Sequence, residues 1–349
     1  MYEVRISESI KSVGREWDAL ADRAAVSPFC RPGWIAAWES AFSDSPVRVL
    51  TVWEGDELAG ALPFMKQRTA VVSPTNWHTP AFGPVAASEE AHAALANALL
   101  AMRAPRVDIA FIDSEDPGLA ALRKEGPGHT IVERTATRSP YVPLEADFAA
   151  YRAGLARKQR KELGRLARRL ADEGSVEYAF EDGSERLDEL LDEGFAVEGS
   201  GWKSESGSAI VSRPDTHRFY RDVARWAAGR GSLLLAFLRL DGRPLAFDMC
   251  IEEAGACNVL KGGFDPDYRR FGPGTLLTAA SIERAYAEGL RSYELLGKED
   301  AYKLAWADSV RERVRFQAFS KSATGRVSHL AWTRGRALAK RAQEAARRD

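Results

Sequence analysis

The chain has 349 residues, 45% hydrophobic and 28% charged, and its 49 basic and 50 acidic side chains leave a net charge of −1. That length exceeds what one hydrophobic core usually serves, so two domains are expected, and the charge balance excludes a whole-molecule attraction to nucleic acid or to an acidic membrane. No run approaches the roughly 20 apolar residues of a membrane span, the opening MYEVRISESI has no signal-peptide core, and Cys30, Cys250 and Cys257 have no metal-ligand spacing, so a cytoplasmic protein without a metal is expected.

In chain order, residues 1–10 read as a strand and 12–24 as a helix with Val13, Trp17 and Leu20 on its apolar face. Residues 32–42 carry Trp34, Trp38 and Phe42 at helical spacing, a core pattern. Strands at 47–53 and 58–66 flank Glu54-Gly55-Asp56-Glu57, a hairpin signal. The turn-rich segment 76–84, NWHTPAFGP, leads to a helix at 89–102, and its His78 reads as polar surface. Strands at 106–113 and 130–135 follow, and Arg138-Ser139-Pro140-Tyr141-Val142-Pro143 reads as a crossover, with a domain boundary near 145.

Residues 148–171 spell a basic helix in which Leu155, Leu163, Leu166 and Leu170 oppose Arg157, Lys158, Arg160, Lys161, Arg165, Arg168 and Arg169. A solvated face is the plain reading; the alternatives are an acidic membrane or nucleic acid, and contact between some of these arginines and the phosphates of coenzyme A or of a nucleotide-linked acceptor. A short strand at 176–180, an acidic helix at 185–198 and a helix at 216–229 precede strands 233–240 and 244–252, joined by the hairpin dipeptide Asp241-Gly242. A strand at 256–262, a glycine-bearing loop, a helix from Thr275 and a strand at 291–296 complete the series. Hairpin, loop and helix thus occur twice, at 47–66, 73–84 and 89–102 and again at 233–252, 263–274 and 275–288, which points to duplication.

The loop between strand 256–262 and its helix carries Arg269, Gly272 and Gly274 in the spacing R-x-x-G-x-G. Glycine lets the backbone approach a ligand or take positive φ. Pro273 has no amide but a φ suited to a first helical turn. The open N–H groups and positive dipole end of such a helix favour phosphate.

These residues resemble the acyl-coenzyme-A pyrophosphate loop of the GNAT N-acetyltransferase superfamily. Trp202-Lys203, the run Leu260 to Asp265, Pro273-Gly274 and Tyr302-Lys303 with Trp306 resemble the GNAT branch associated with bacterial cellulose and exopolysaccharide biosynthesis. That branch is similar to the Fem-type aminoacyl transferases, which contain two GNAT-like domains. The resemblance covers roughly residues 20–320, with its specific motifs mostly in the second half.

The resemblance implies an α/β (α+β) chain of two tandem GNAT-like domains, each a mixed, mainly antiparallel central sheet flanked by helices. Residues 1–145 would be a degenerate scaffold or acceptor-binding domain, 146–325 the domain with the cofactor loop, and 326–349 a basic C-terminal helix. The donor would be acetyl-coenzyme A or another acyl-coenzyme A, held by Leu260, Lys261, Gly262, Arg269, Arg270, Gly272, Gly274 and Thr275. Acyl transfer needs a proton for the departing thiolate and a group to deprotonate the acceptor. Tyr302 is the candidate acid, and Asp248, Glu198 and Glu294 are the candidate bases. Trp202, Lys203, Asp265, Lys303 and Trp306 are candidates for the acceptor, a small molecule or saccharide of an envelope or exopolysaccharide precursor. Two further readings stand beside this one: a Fem-like transferase that takes an aminoacyl group from tRNA, and a non-catalytic GNAT-fold ligand-binding protein docked on a synthesis complex.

Overall fold

The computed structural model describes residues 2–145, 147–200 and 210–345. The chain divides into two compact units, the first comprising residues 1–35, 44–137 and 312–349 and the second residues 36–43 and 138–311. In chain order the elements are β1 (Glu3–Ser7), α1 (Gly14–Arg23), α2 (Pro32–Phe42), β2 (Arg48–Glu54), β3 (Glu57–Gln67), β4 (Ala70–Val72), β5 (Val85–Ala86), α3 (Glu89–Leu100), β6 (Arg106–Asp113), α4 (Pro117–Glu125) and β7 (His129–Pro143). Then come α5 (Phe148–Gly154), α6 (Arg157–Ala171), β8 (Val176–Glu181), α7 (Leu187–Gly199), α8 (Pro214–Gly229), β9 (Leu233–Leu240), β10 (Arg243–Glu253), β11 (Ala256–Phe264), α9 (Pro273–Ala287), β12 (Ser292–Glu294), α10 (Ala301–Leu304), β13 (Ser309–Ser320) and α11 (Ala323–Ala345).

Each unit is a mixed, mainly antiparallel sheet flanked by helices. In the first, β1–β2, β2–β3 and β3–β4 are antiparallel, β4–β6 parallel and β6–β13 antiparallel. In the second, β8–β9, β9–β10 and β10–β11 are antiparallel, β11–β12 parallel and β12–β7 antiparallel. The two series match strand for strand.

The register extends the match to side chains. Val72 faces Asp108 across the parallel pair of the first unit, and Asn258 faces Glu294 at the corresponding place in the second. Both carboxylates are buried and each is gripped by an arginine of β13. Arg315 donates to Asp108 at 2.5 and 2.7 Å, and Arg311 donates to Glu294 at 2.9 and 3.1 Å. A buried charge persists only when paired in this way.

Local sequence explains the hairpins. Asp241 and Gly242 both take positive φ, as the two-residue turn that matches strand twist requires. The run LLLAFLRL of β9 is apolar on both faces because helices cover both. One face sets Ala236 and Leu238 against Leu166 and Leu170 of α6 and Leu276 and Leu277 of α9. The other sets Phe237 on Phe247, which meets Phe195 of α7.

Several expectations are corrected. Residues 138–143, where the chain passes from the first unit to the second, are not a loop but the end of β7, with Tyr141, Val142 and Pro143 facing Glu294, Tyr293 and Ser292. Two prolines argue for a loop in sequence, but the Pro140 carbonyl still accepts from Leu295 N at 3.1 Å. The basic helix is broken, because Leu155 and Ala156 are extended (ψ 148° and 136°) between α5 and α6. His78 is buried rather than on the surface, in a loop where its amide donates to Asn76 Oδ1 at 2.9 Å. Helix α4 and strand β13 have no counterpart in the sequence reading. Among the described residues no helix is long and apolar enough to cross a membrane.

Candidate active site

The second unit opens where its parallel strands part. β11 and β12 pair only over Ala256–Asn258 and Ser292–Glu294. Beyond that point β11 continues alongside β10 to Phe264, while the chain after β12 turns away through Leu296 and Gly297, both at positive φ (51° and 61°). A cavity of about 930 Å³ fills the gap, and Val259 to Phe264 of β11 form one wall.

The mouth of this cavity carries the cations Arg269 and Lys158 beside Glu162 of α6, whose charge Arg165 meets at 2.5 Å. A short 3-10 turn, Pro266–Phe271, brings β11 to α9, and Gly272 at its end takes φ 61° as the N-cap of the helix. A Cβ there would also stand 2.7 Å from Leu166 Cδ1, so glycine is required both for the backbone turn and for packing on α6. Glycine supplies no side-chain cap, and Pro273 has no amide. Helical bonding begins with Leu276 N to Gly272 O at 3.0 Å. The amides of Gly274 and Thr275, both residues of the cavity wall, are therefore the open donors at the positive end of the helix. Arg269 lines the same mouth, exposed and without an ion-pair partner among the described residues. Lys158 and Gln159, from the first turn of α6, stand there too. The extended Leu155-Ala156 step starts α6 at the cavity, a placement that the sequence does not reveal.

Deeper in, Asp248 faces Gly262 across β10 and β11, and a Cβ on Gly262 would collide with its Oδ1, so the glycine leaves room for the carboxylate to lie along the wall. Glu198, almost fully buried near the end of α7, accepts from Ile210 N at 2.9 Å. Its Cα would be 2.6 Å from a Cβ on Gly263. Lys261 lies with its Nζ 5.2 Å from the ring centre of Tyr220. Tyr302 is 65% exposed at the rim, yet loss of solvation around its hydroxyl, then the charges of Asp300 and Asp248, push its ionisation up to about 12. Burial, followed by Asp248 and the neighbouring thiols Cys250 and Cys257, holds the wall residue Tyr293 well above the usual tyrosine range as well. Both are proton-bearing groups at neutral pH.

The remaining sequence candidates separate. Leu260, Lys261, Gly262, Arg269, Gly274, Thr275, Asp248, Glu198, Tyr302, Lys303 and Trp306 all line the cavity. Lys303 is occupied there, donating from Nζ to the Leu296 and Lys298 carbonyls at 2.8 and 3.3 Å and so fastening the turn after β12. Trp306 is buried, and its carbonyl accepts from Tyr151 Oη at 2.9 Å. Asp265 caps the 3-10 turn through Asp267 N and binds Arg243 at 2.6 Å, away from the cavity. Arg270 stacks on Phe271 and approaches Glu173 at 3.7 Å, and Gly272 works through its backbone shape alone. Glu294 is held by Arg311 and by Ser292 Oγ, which donates at 2.8 Å. Trp202 and Lys203 lie outside the described residues.

Residues 157–304 match the family model described as Acetyltransferase (GNAT) domain. That span begins with α6 and ends with α10, so it takes in the cavity's mouth and the splayed strands. The chain matches no curated protein sequence. Among solved structures it is similar to a chain described as the C-terminal domain (DUF2156) of a lysylphosphatidylglycerol synthetase from Agrobacterium fabrum, with a TM-score of 0.59 and 14% identity over 92% of this chain and 95% of that one. It is also similar to FemX, with a TM-score of 0.59 and 13% identity over 88% and 96%. L-PGS from Bacillus licheniformis gives a TM-score of 0.59 and 13% identity over 92% and 96%. At these identities the likeness is one of fold, and it extends over both units.

Proposed function

We propose that the second unit is an acyltransferase that takes its donor as acyl-coenzyme A and passes the acyl group, acetyl in the first instance, to an amine or hydroxyl of a sugar or related envelope precursor. One observation carries the donor half: two open helix-end amides, Arg269, which has no ion-pair partner among the described residues, and Lys158 all line a cavity of about 930 Å³. Amides, a guanidinium fork and an ammonium are what a pyrophosphate calls for. The bound donor supplies a thioester, whose carbonyl carbon is the electrophile. Backbone amides of β11 beyond its last pairing with β12 are available to a developing oxyanion. Of the cavity's carboxylates, Glu162 is engaged by Arg165, which leaves Asp248 and Glu198 to take the acceptor's proton, and Tyr302 holds a proton for the leaving thiolate. The saccharide acceptor rests on the resemblance of Tyr302-Lys303 and Trp306 to the exopolysaccharide branch.

An aminoacyl donor is the second reading, favoured by the exposed cations of α6 and by the fold likeness to FemX. Much of that charge is already engaged, however. Arg165 binds Glu162 at 2.9 and 2.5 Å, Arg168 donates to the Gly164 carbonyl at 3.1 Å, and Arg169 lies over Phe271. A ligand that binds only the folded state raises its stability, by about 2.7 kcal/mol at a hundredfold excess over Kd. Millimolar acetyl-coenzyme A should therefore raise Tm and, with an acceptor amine or sugar, release free thiol. No shift with acetyl-coenzyme A, combined with salt-sensitive binding of charged tRNA, would replace the first reading with the second. A shift without thiol release from any acceptor would leave a binding protein.

A further inference from the structure

Helix α11 packs one side on the first unit. His329 and Trp332 stand 4.9 and 5.8 Å, ring to ring, from Phe319, and Arg134 lies 5.8 Å over Trp332. At 3.6 residues per turn, Val327, Leu330 and Arg334 fall within an arc of roughly 60° on the far side, with Arg326 beside them. That face is in water, since Val327 is 65% and Leu330 56% exposed. Arg326 and Arg334 are exposed and have no ion-pair partner among the described residues. The sequence from Lys321 to Asp349 contains eight basic and two acidic residues, in a chain whose net charge is −1, so positive charge is concentrated here.

We propose that α11 lies on an anionic phospholipid surface, with Val327 and Leu330 in the interface and its arginines among the headgroups. Aliphatic side chains and cations on one helical face are the two terms of interfacial binding. Nucleic acid would use the cations but leave Val327 and Leu330 in water. A second copy of α11 would bring like charges together. A lipid surface alone of the three uses both parts of the face.

The test is co-sedimentation of the full chain with vesicles of phosphatidylcholine alone or mixed with phosphatidylglycerol. Binding to the mixed vesicles only is expected, weakened but not abolished by salt because part of it is apolar. The double variant Val327→Glu, Leu330→Glu should lower the bound fraction by about tenfold with Tm unchanged, since both side chains are exposed. Arg326→Glu with Arg334→Glu should lower it as well. The proposal is overturned by absence of binding to the mixed vesicles, by equal binding to phosphatidylcholine alone, or by an apolar double variant that binds as the parent does. It also fails if α11 instead holds tRNA with an affinity that the apolar variant does not change, or if that variant converts a dimer to a monomer in size-exclusion chromatography.

Discussion

The two units share one plan of pairing and differ in what happens beside the parallel strands. In the second unit β11 and β12 part and leave a cavity. In the first the corresponding gap is occupied by the chain itself: Ser73 N donates to the Asp108 carbonyl at 3.0 Å, Ala110 N donates to Ser73 Oγ at 3.0 Å, and Phe82 N donates to the Phe111 carbonyl at 2.9 Å. Loop 73–84 thus runs along β6, and a void of about 10 Å³ lined by Leu62, Leu95 and Ile109 is what remains nearby. The helix ends differ in the same sense. Ser88 Oγ caps α3 by accepting from Ala91 N at 3.2 Å, and Glu89 and Glu90 occupy its first turn. Helix α9 begins on Gly272, with no side-chain cap and no acid in that turn. One helix end is satisfied and would repel an anion, while the other is open and attracts one. The same pairing plan is closed in one half and open in the other, according to whether the chain fills its own gap.

That contrast can be broken at three places. The largest effect is expected from Gly274→Trp, which fills the open helix end of the second unit. It should abolish the thermal shift with acetyl-coenzyme A, with a small fall in Tm without ligand because a Cβ at 274 stands 3.3 Å from Phe264 Cδ1. A retained shift would move the donor out of this cavity. The next concerns the paired carboxylates. Arg311→Ala leaves Glu294 buried with Ser292 as its other hydrogen-bond partner, and should cost about 3 kcal/mol in urea unfolding. Arg315→Ala should cost less, about 2 kcal/mol, because Asp108 keeps Gln317 at 2.7 Å and Arg106 at 3.4 Å. The reverse order would undo the equivalence of the two positions.

The third concerns the closed side of the comparison and shows only as a change with pH. Burial pushes the Asp116 carboxyl up to about 6, against hydrogen bonds from Gly118 and Leu119 that oppose the rise. A folded-state value above the unfolded one means that the folded state holds the proton longer, so stability falls as pH rises from about 4 to about 6 and stays lower above that. Asp116→Asn keeps an acceptor for Gly118 N and has no such titration. Its stability relative to the parent should rise by up to about 3 kcal/mol across that window and be flat on either side. A difference that does not vary with pH would mean Asp116 ionises as if exposed.

Local signals made most of the fold legible. Asp241-Gly242, the tryptophan stripe of α2 and the glycine loop before α9 each fix their element through nearby sequence. What escaped depends on distant partners. β13 is a strand because β6 lies beside it, and 138–143 is a strand because β12 does, whatever its prolines suggest. The mouth of the site was half legible. Arg269, Gly274 and Thr275 follow from one motif, whereas Lys158 joins them only because two extended residues restart a helix against the same opening. The family resemblance also drew in Asp265 and Arg270, whose side chains serve the turn and do not line the cavity.

The origin of β13 bears on how this molecule is made. Its residues 312–320 follow the second unit in the chain, yet pair with β6 of the first. During translation domains commonly fold in the order in which they leave the ribosome. Here the earlier unit waits for its last strand until residue 320 has emerged, so a nascent chain halted at residue 145 exposes the unpaired edge of β6. Such an edge is an aggregation hazard, and the order of synthesis makes the later unit, with the open cavity, the first that can close.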